Sequence, residues 1–299
     1  MGLLDSFRKG SSSADDDYTA STPEEIDAAI RRDYSEFTCD SLPHGPLYGP
    51  LAQGLAVICP LSVSHGGWWN SLKSVGHHNA AEGLELYGAT DPESWMEILN
   101  RLVNASWGDS VAYHATAIRT RYKRARDLPT ITDADWAAAL DAEAQRLEAP
   151  ADYAAALRES IPGIRHAEDR GRQSQLLGAD EEAEALDGYD FMRAGAVAKW
   201  GVNVGWGEEH VVANVAMICR DAASQLYTGW REYAIGCNVG RIVTYPDTWG
   251  NGIADSLLMM RPLLDNPESP WNNIPFPAEP VMPPEPDQTT DPEPGTTAP

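Results

Sequence analysis

Apolar residues along this chain recur mostly at spacings of three and four, the period of an amphipathic helix, and seldom alternate. In "DPESWMEILNRLVNASW" the residues Trp95, Ile98, Leu99, Leu102 and Val103 share one face, with Asp91 placed to cap the helix and Pro92 to fix its first turn. "ITDADWAAALDAEAQRL" follows the same logic. Thr132 and Asp135 stand at capping-box spacing, Ile131 and Trp136 stand where a hydrophobic staple closes, and Trp136, Leu140, Ala144 and Leu147 continue the apolar stripe. Pro150 and Pro162 bracket a shorter helical piece, "ADYAAALRES", and Thr22 with Pro23 opens a helix expected over residues 23–37.

The later part of the chain is patterned more strongly. "GYDFMRAGAVAKWGVNVGW" reads as a helix followed by a Gly-rich turn, and "EEHVVANVAMICRDAASQL" sets Val212, Val215, Cys219, Ala222 and Leu226 on one face. In "GWREYAIGCNVGRIV" the face is Trp230, Tyr233, Ala234 and Cys237, while Gly236 and Gly240 permit a neighbouring helix to come close. A last helix is expected over 253–264. No alternating run is long enough for a sheet, so the expected fold class is mostly α, an irregular multi-helix bundle. Residues 42–72 carry no Asp, Glu, Lys or Arg, but their apolar heart "LAQGLAVICPLSV" is too short for a bilayer and is punctuated by Pro and Gly. A buried core segment is expected there.

Three divisions follow. Residues 1–22 form a polar segment, disordered or weakly amphipathic; residues 23–276 form a single all-α domain; residues 277–299 are a Pro-rich, acidic, disordered tail. The domain's end, "SPWNNIPF", has a physical logic. Pro270 and Pro275 stop a helix, and Trp271, Ile274 and Phe276 can then lie back on the bundle as a C-terminal clasp.

Charge narrows the partners. With 45 acidic against 22 basic residues the formal net charge is −23, which opposes nucleic acid and anionic membranes. Four cysteines without a CxxC argue against a disulfide framework and for a reducing, cytoplasmic setting. The opening "MGLLDSFRK" has no signal-peptide core. It matches a myristoylation pattern at Gly2 and Ser6 and offers a short amphipathic anchor over residues 1–7.

Candidate chemistry is sparse. Asp190 and Arg193 lie three apart on a helix, so their side chains can meet, either as a structural pair or as a seat for a carboxylate or phosphate. His77 and His78 are adjacent and face different ways on a helix, and His210 sits among surface glutamates; no metal and no cofactor is expected. Ser269 lacks a nucleophile elbow around it. "IRTRYKRARD" is the one basic cluster. It reads as a solvated helix face, or as a docking patch for an acidic segment such as "ADEEAEALD", residues 179–187 of the chain itself.

The ordered set "LELYGATDPESWMEILNRL", "YDFMRAGAVAKWGVNVGWGEEH", "GWREYAIGCNVGR" and "SPWNNIPF" resembles the bacterial domain of unknown function (DUF) family 1266, over about residues 46–276. The positions carried over are Asp190, Arg193, Trp200, Gly205, Trp230, Tyr233, Gly240, Ser269, Pro270, Trp271 and Pro275. Tyr189 stands where the family usually has Trp, and Gly229 where it usually has Ser. The resemblance implies no assigned activity. The expected function is therefore a helical protein-interaction or binding module with another protein as partner, including immunity-type neutralisation. The candidate binding residues are Asp190, Arg193, Trp200, Trp230, Tyr233 and Trp271. An enzyme with a polar site around Asp190 and Arg193, and a membrane-peripheral protein using residues 1–7, are the alternatives.

Overall fold

The computed structural model describes residues 22–74, 80–106, 110–245 and 252–277, and among these all regular structure is helical. Both expected disordered ends, residues 1–7, and the His77–His78 pair lie outside the described residues. One contiguous set of buried apolar side chains runs from Tyr34 to Phe276.

The first helix, α1 (Pro23–Arg31), stops short of the expected residue 37. Asp33 Oδ1 accepts bonds from both the backbone N–H and the hydroxyl of Ser35, a local turn that competes with helix. The charge-free stretch folds as α2 (Gly49–Ile58) and α3 (Pro60–Ser64), with Ala52 through Ile58 buried. No described helix is long and apolar enough to cross a membrane. A short α4 (Ala80–Leu86) leads to α5 (Pro92–Val103), which Asp91 caps as expected; Ser94 completes a capping box there, with Ser in place of Glu.

A peripheral layer comprises α6 (Ser110–Arg124), α7 (Asp133–Arg146) and α8 (Ala151–Gln173), packed on one another. Thr132 caps α7 as expected, its hydroxyl accepting from Asp135 N at 3.1 Å. Leu147 departs from the stripe: the helix ends at Arg146, so Leu147 falls past the last turn and is 54% exposed. Pro162 does not bound a helix either. It lies inside α8, where it removes one backbone bond, and Leu157, Ile161 and Ile164 hold the helix in place by packing on both sides of it.

The basic cluster corrects the solvated-face reading. Arg119 is fully buried and Lys123 nearly so, and their partner is the chain's own acidic segment. Arg119 binds Glu168 at 2.6 Å and the carbonyl of Ala183 at 2.7 Å, with its guanidinium over the Trp136 ring. Lys123 meets Glu182 at 2.9 Å and Glu184 at 3.1 Å; Arg165 reaches Glu182 from α8. Buried cations demand paired carboxylates, which explains why segment 179–187 is acidic though largely enclosed. Burial alone raises the Glu182 carboxyl, yet Arg119, Arg165 and Lys123 overcome it and hold the group below its ordinary 4.5.

Segment 179–187 then enters α9 (Gly188–Asn203), the hub of the molecule, which packs against α2, α3, α4, α5, α10 (Glu209–Leu226) and α11 (Trp230–Thr244). On α10 the buried residue of the last turns is Ala223, with Ala222 and Leu226 half-buried, because the apolar stripe drifts around the helix. Gly240 allows the close approach of the N-terminal end of α9: a Cβ there would lie 2.5 Å from Leu186 O just before the helix and 3.0 Å from Tyr189 Cβ inside it. After α12 (Gly252–Asp265) the chain closes through α13 (Pro270–Asn273).

The clasp is an aromatic stack. Trp271 lies parallel to Trp230 with ring centroids 5.3 Å apart, and Phe276 meets Trp230 edge-on at 4.9 Å. Each polar handle is used: Trp271 Nε1 donates to Ala56 O at 2.9 Å, Trp230 Nε1 to Ile274 O at 2.8 Å, and Tyr233 Oη to Val57 O at 2.7 Å.

Two outcomes follow. Trp271→Ala should lower stability by about 3–5 kcal/mol, read from the denaturant midpoint, because it opens a cavity and removes the indole hydrogen bond to Ala56 O. Acidification should also destabilise the native state. The Glu182 contribution is present above pH 4.5 and is lost as pH falls through its lower folded-state value; Glu182→Gln should flatten that part of the stability–pH curve.

Candidate functional site

Every residue of α9 from Gly188 to Val202 is buried, and three of them are of charged type: Asp190, Arg193 and Lys199. A helix enclosed on all sides is normally apolar all round. Each of these three groups therefore needs a reason.

Asp190 and Arg193 meet as the sequence suggests. One terminal nitrogen of Arg193 donates to Asp190 Oδ1, and the other lies 3.5 Å from Tyr245 Oη. Its guanidinium carbon sits 4.1 Å over the Tyr189 ring, which explains how Tyr serves at this position. Burial works against the charge on Arg193, but Tyr189, Asp190 and Tyr87 together hold it firmly protonated. Its Nε is buried without a hydrogen-bond partner.

That guanidinium forms one wall of a cavity of about 180 Å³. Tyr189, Met192 and Arg193 come from α9, Leu61, Ser64 and His65 from α3 and its end, Arg241 from α11, Leu258 and Met259 from α12, and Tyr87 from the end of α4. His65 Nδ1 donates to Leu61 O at 2.8 Å, which turns the other ring nitrogen away from its own helix. None of these lining residues is acidic, although acidic residues outnumber basic ones two to one in the chain. A larger and more open depression, about 390 Å³, is formed by residues 35–40 and 266–268; it contains three carboxylates and no cation.

One helix face continues past this cavity. Ala196, Lys199 and Trp200 follow Tyr189, Met192 and Arg193 at spacings of three and four, and they line a second, water-sized space of about 10 Å³ with Leu61, Ser62, His65 and Ser74. Lys199 is 1% exposed, and its ammonium nitrogen lies 3.2 Å from Ser62 Oγ. Burial pushes the Lys199 amine down to about 8, with only the Cys59 thiol opposing.

Of the residues the sequence singled out, Arg193 and Trp200 line these spaces, and Asp190 stands behind Arg193. Trp230, Tyr233 and Trp271 line neither; they make the clasp. Ser269 is buried and donates its hydroxyl to Leu263 O. His210 is exposed beside Glu208. Among the described residues no group of His, Cys, Asp and Glu could hold a metal ion. The sequence reading missed Ser62, His65, Tyr87, Lys199 and Arg241. A signal existed for Lys199, a lone cation in the apolar run "AGAVAKWGV".

The fold and these spaces define an all-helical protein built around a buried, charge-bearing central helix with a cation-lined cleft along one side. The chain belongs to the family described as protein of unknown function (DUF1266), whose model matches residues 85–276. Arg193, Lys199, Arg241 and both tyrosines of the cleft fall within the matched part; Leu61, Ser62 and His65 precede it. No curated protein and no solved structure matches the chain.

The three charges give separable expectations. Asp190→Asn and Arg193→Met should each cost about 3–5 kcal/mol by stranding a buried partner, and the double variant should cost less than the sum. Additive, near-zero changes in denaturant midpoint contradict the pairing. Lys199→Met should instead stabilise at pH 7, by roughly 3 kcal/mol. The penalty of burying the ammonium is complete below pH 8, shrinks as pH rises toward the ordinary 10.5, and vanishes above it. A variant less stable than the parent at pH 7 contradicts this.

Proposed function

We propose that this chain is a helical binding protein whose cleft takes a small molecule carrying a carboxylate or phosphate. The observation that carries the reading is the cleft's lining among the described residues: two guanidiniums, an imidazole and two tyrosines, with no carboxylate, in a chain of net charge −23. Arginine offers the planar donor geometry that recognises such anions, and a desolvated site strengthens each bond. Leu61, Met192, Leu258 and Met259 supply the apolar remainder of a binding pocket. The anion's role is to accept the donors that Asp190 does not engage.

A protein partner, including one neutralised in immunity fashion, has weaker support. The exposed large apolar side chains, such as Tyr48, Leu86, Met96 and Ile218, come from different elements, and single exposed hydrophobics are ordinary surface. Nucleic acid is disfavoured further because Arg119 and Lys123 of the basic cluster are spent internally. Free cysteines, three of them buried, fit a cytoplasmic setting.

Calorimetric titration of the full chain with inorganic phosphate and with short monocarboxylates and dicarboxylates tests this. At least one should bind saturably, and Arg241→Gln should weaken it at least tenfold, as loss of a charged hydrogen bond does. Absence of saturable binding for every probe, or binding indifferent to Arg241, overturns the reading.

A further inference from the structure

Lys199 is the group the fold leaves unexplained. Every other described lysine has a carboxylate: Lys73 has Glu209 at 3.0 Å, and buried Lys123 has Glu182 and Glu184. Lys199 is as buried as Lys123, yet among the described residues its one hydrogen-bond partner is the Ser62 hydroxyl. An uncompensated buried ammonium is costly, and a chain with 45 acidic residues has no shortage of counter-ions. A structural lysine would have been paired, or replaced by Met at a gain in stability.

A buried amine that is readily neutral can accept a proton, and the group within reach is a hydroxyl. Ser62 is only half-buried, so the pair is layered: amine inside, hydroxyl toward the cavity. This is the serine–lysine form of an activated nucleophile, recognised by geometry and not by sequence order. The cavity at Ser62 shares Leu61 and His65 with the anion cleft, and both spaces lie along one face of α9. Arg193 and Lys199 are six residues apart there, roughly 9 Å of helix rise.

We propose that Ser62 is a nucleophile with Lys199 as its general base, in a site that transfers or hydrolyses the acyl group of a small ester or amide whose anionic end is held at Arg193 and Arg241. The anchoring end rests on the anion-binding reading above; the serine–lysine chemistry does not. Ser62 Oγ attacks the acyl carbon while its proton passes to Lys199 Nζ. The bond from that carbon to the leaving oxygen or nitrogen then breaks, and the leaving group takes the proton back from Lys199. Water, for which the small cavity has room, attacks the acyl-serine with Lys199 again receiving the proton. The bond from that carbon to Ser62 Oγ then breaks, Oγ takes the proton back from Lys199, and the carboxylic acid departs with Ser62 restored. No oxidant, reductant or metal enters the balance.

Among the described residues the titratable groups facing Lys199 are few. Cys59 has its thiol pushed up by burial, and His65 lines the same cavity. The carboxylates on α4, α5 and α10 are exposed, Asp190 is committed to Arg193, and Glu232 on α11 accepts from Thr228 N. The reaction rate should therefore rise with pH through the Lys199 transition.

The full chain, treated with the small neutral probe methanesulfonyl fluoride and mapped by peptide mass spectrometry, tests the nucleophile. Sulfonylation should fall on Ser62, accelerate from pH 6 to a plateau above pH 9, disappear in Ser62→Ala, and slow at least a hundredfold in Lys199→Met. Labelling that spares Ser62, or that ignores Lys199 in a folded variant, overturns the proposal even where phosphate binds. The anchor is read separately from hydrolysis of mono-p-nitrophenyl succinate against neutral p-nitrophenyl acetate. The anionic ester should have at least a tenfold higher kcat/KM, and Arg241→Gln should abolish the advantage. Ser62-dependent hydrolysis with no such preference overturns the anionic substrate class and leaves the anion-binding reading to the titration with phosphate and carboxylates.

Discussion

A helix buried on every face must neutralise each charge it carries, and most of this structure can be understood from how α9 meets that requirement. Asp190 and Arg193 do so within one turn, as a salt bridge closed over by Tyr189 and Tyr245. Lys199 does so only in part: Ser62 Oγ is its partner, and burial draws the amine down to about 8, so that it gives up its proton more readily. Six helices then pack around α9, and the cleft lies where α3 and α11 meet it beside the guanidinium, with Leu258 and Met259 of α12 lining its far side. The pairing of Asp190 with Arg193 thus fixes the helix and aims the remaining donors of the arginine.

The same rule operates in the outer layer. Arg119 and Lys123 are enclosed by α8 and segment 179–187, whose glutamates provide their partners. Breaking one member of such a network costs more than removing the whole, because a stranded buried charge is worse than none. The network also threads the chain directly into the start of α9, so the acidic segment couples the peripheral layer to the hub. At the other end the aromatic clasp ties residues 271–276 and α11 to α2 through indole and phenol hydrogen bonds.

Features governed by near neighbours were legible in the sequence. The caps at Asp91 and Thr132, the buried faces led by Trp95 and Trp136, the all-helical class and the proline-bounded clasp all depend on contacts that spacing reveals. Those governed by distant segments were not. Arg119 and Lys123 look like a solvated face until segment 179–187 is laid over them, and Pro162 looks like a boundary until packing holds α8 through it. In the cleft, the Asp190–Arg193 pair could be read from helical spacing, but Arg241, His65 and Tyr87 arrive from three separate elements. Lys199 carried a visible signal, a cation in an apolar run, whose meaning depended on finding Ser62 rather than a carboxylate opposite it.

The claim on which these functional readings converge is that the described face of α9 presents a seat for an anion between Arg193 and Arg241. An anomalous difference map from crystals of the full chain grown with selenate measures that directly. A selenium peak within hydrogen-bonding distance of both guanidiniums, in the space bounded by Tyr87 and Tyr189, is the predicted result. A carboxylate of the chain itself filling that space, or selenate found only at surface cations, contradicts it.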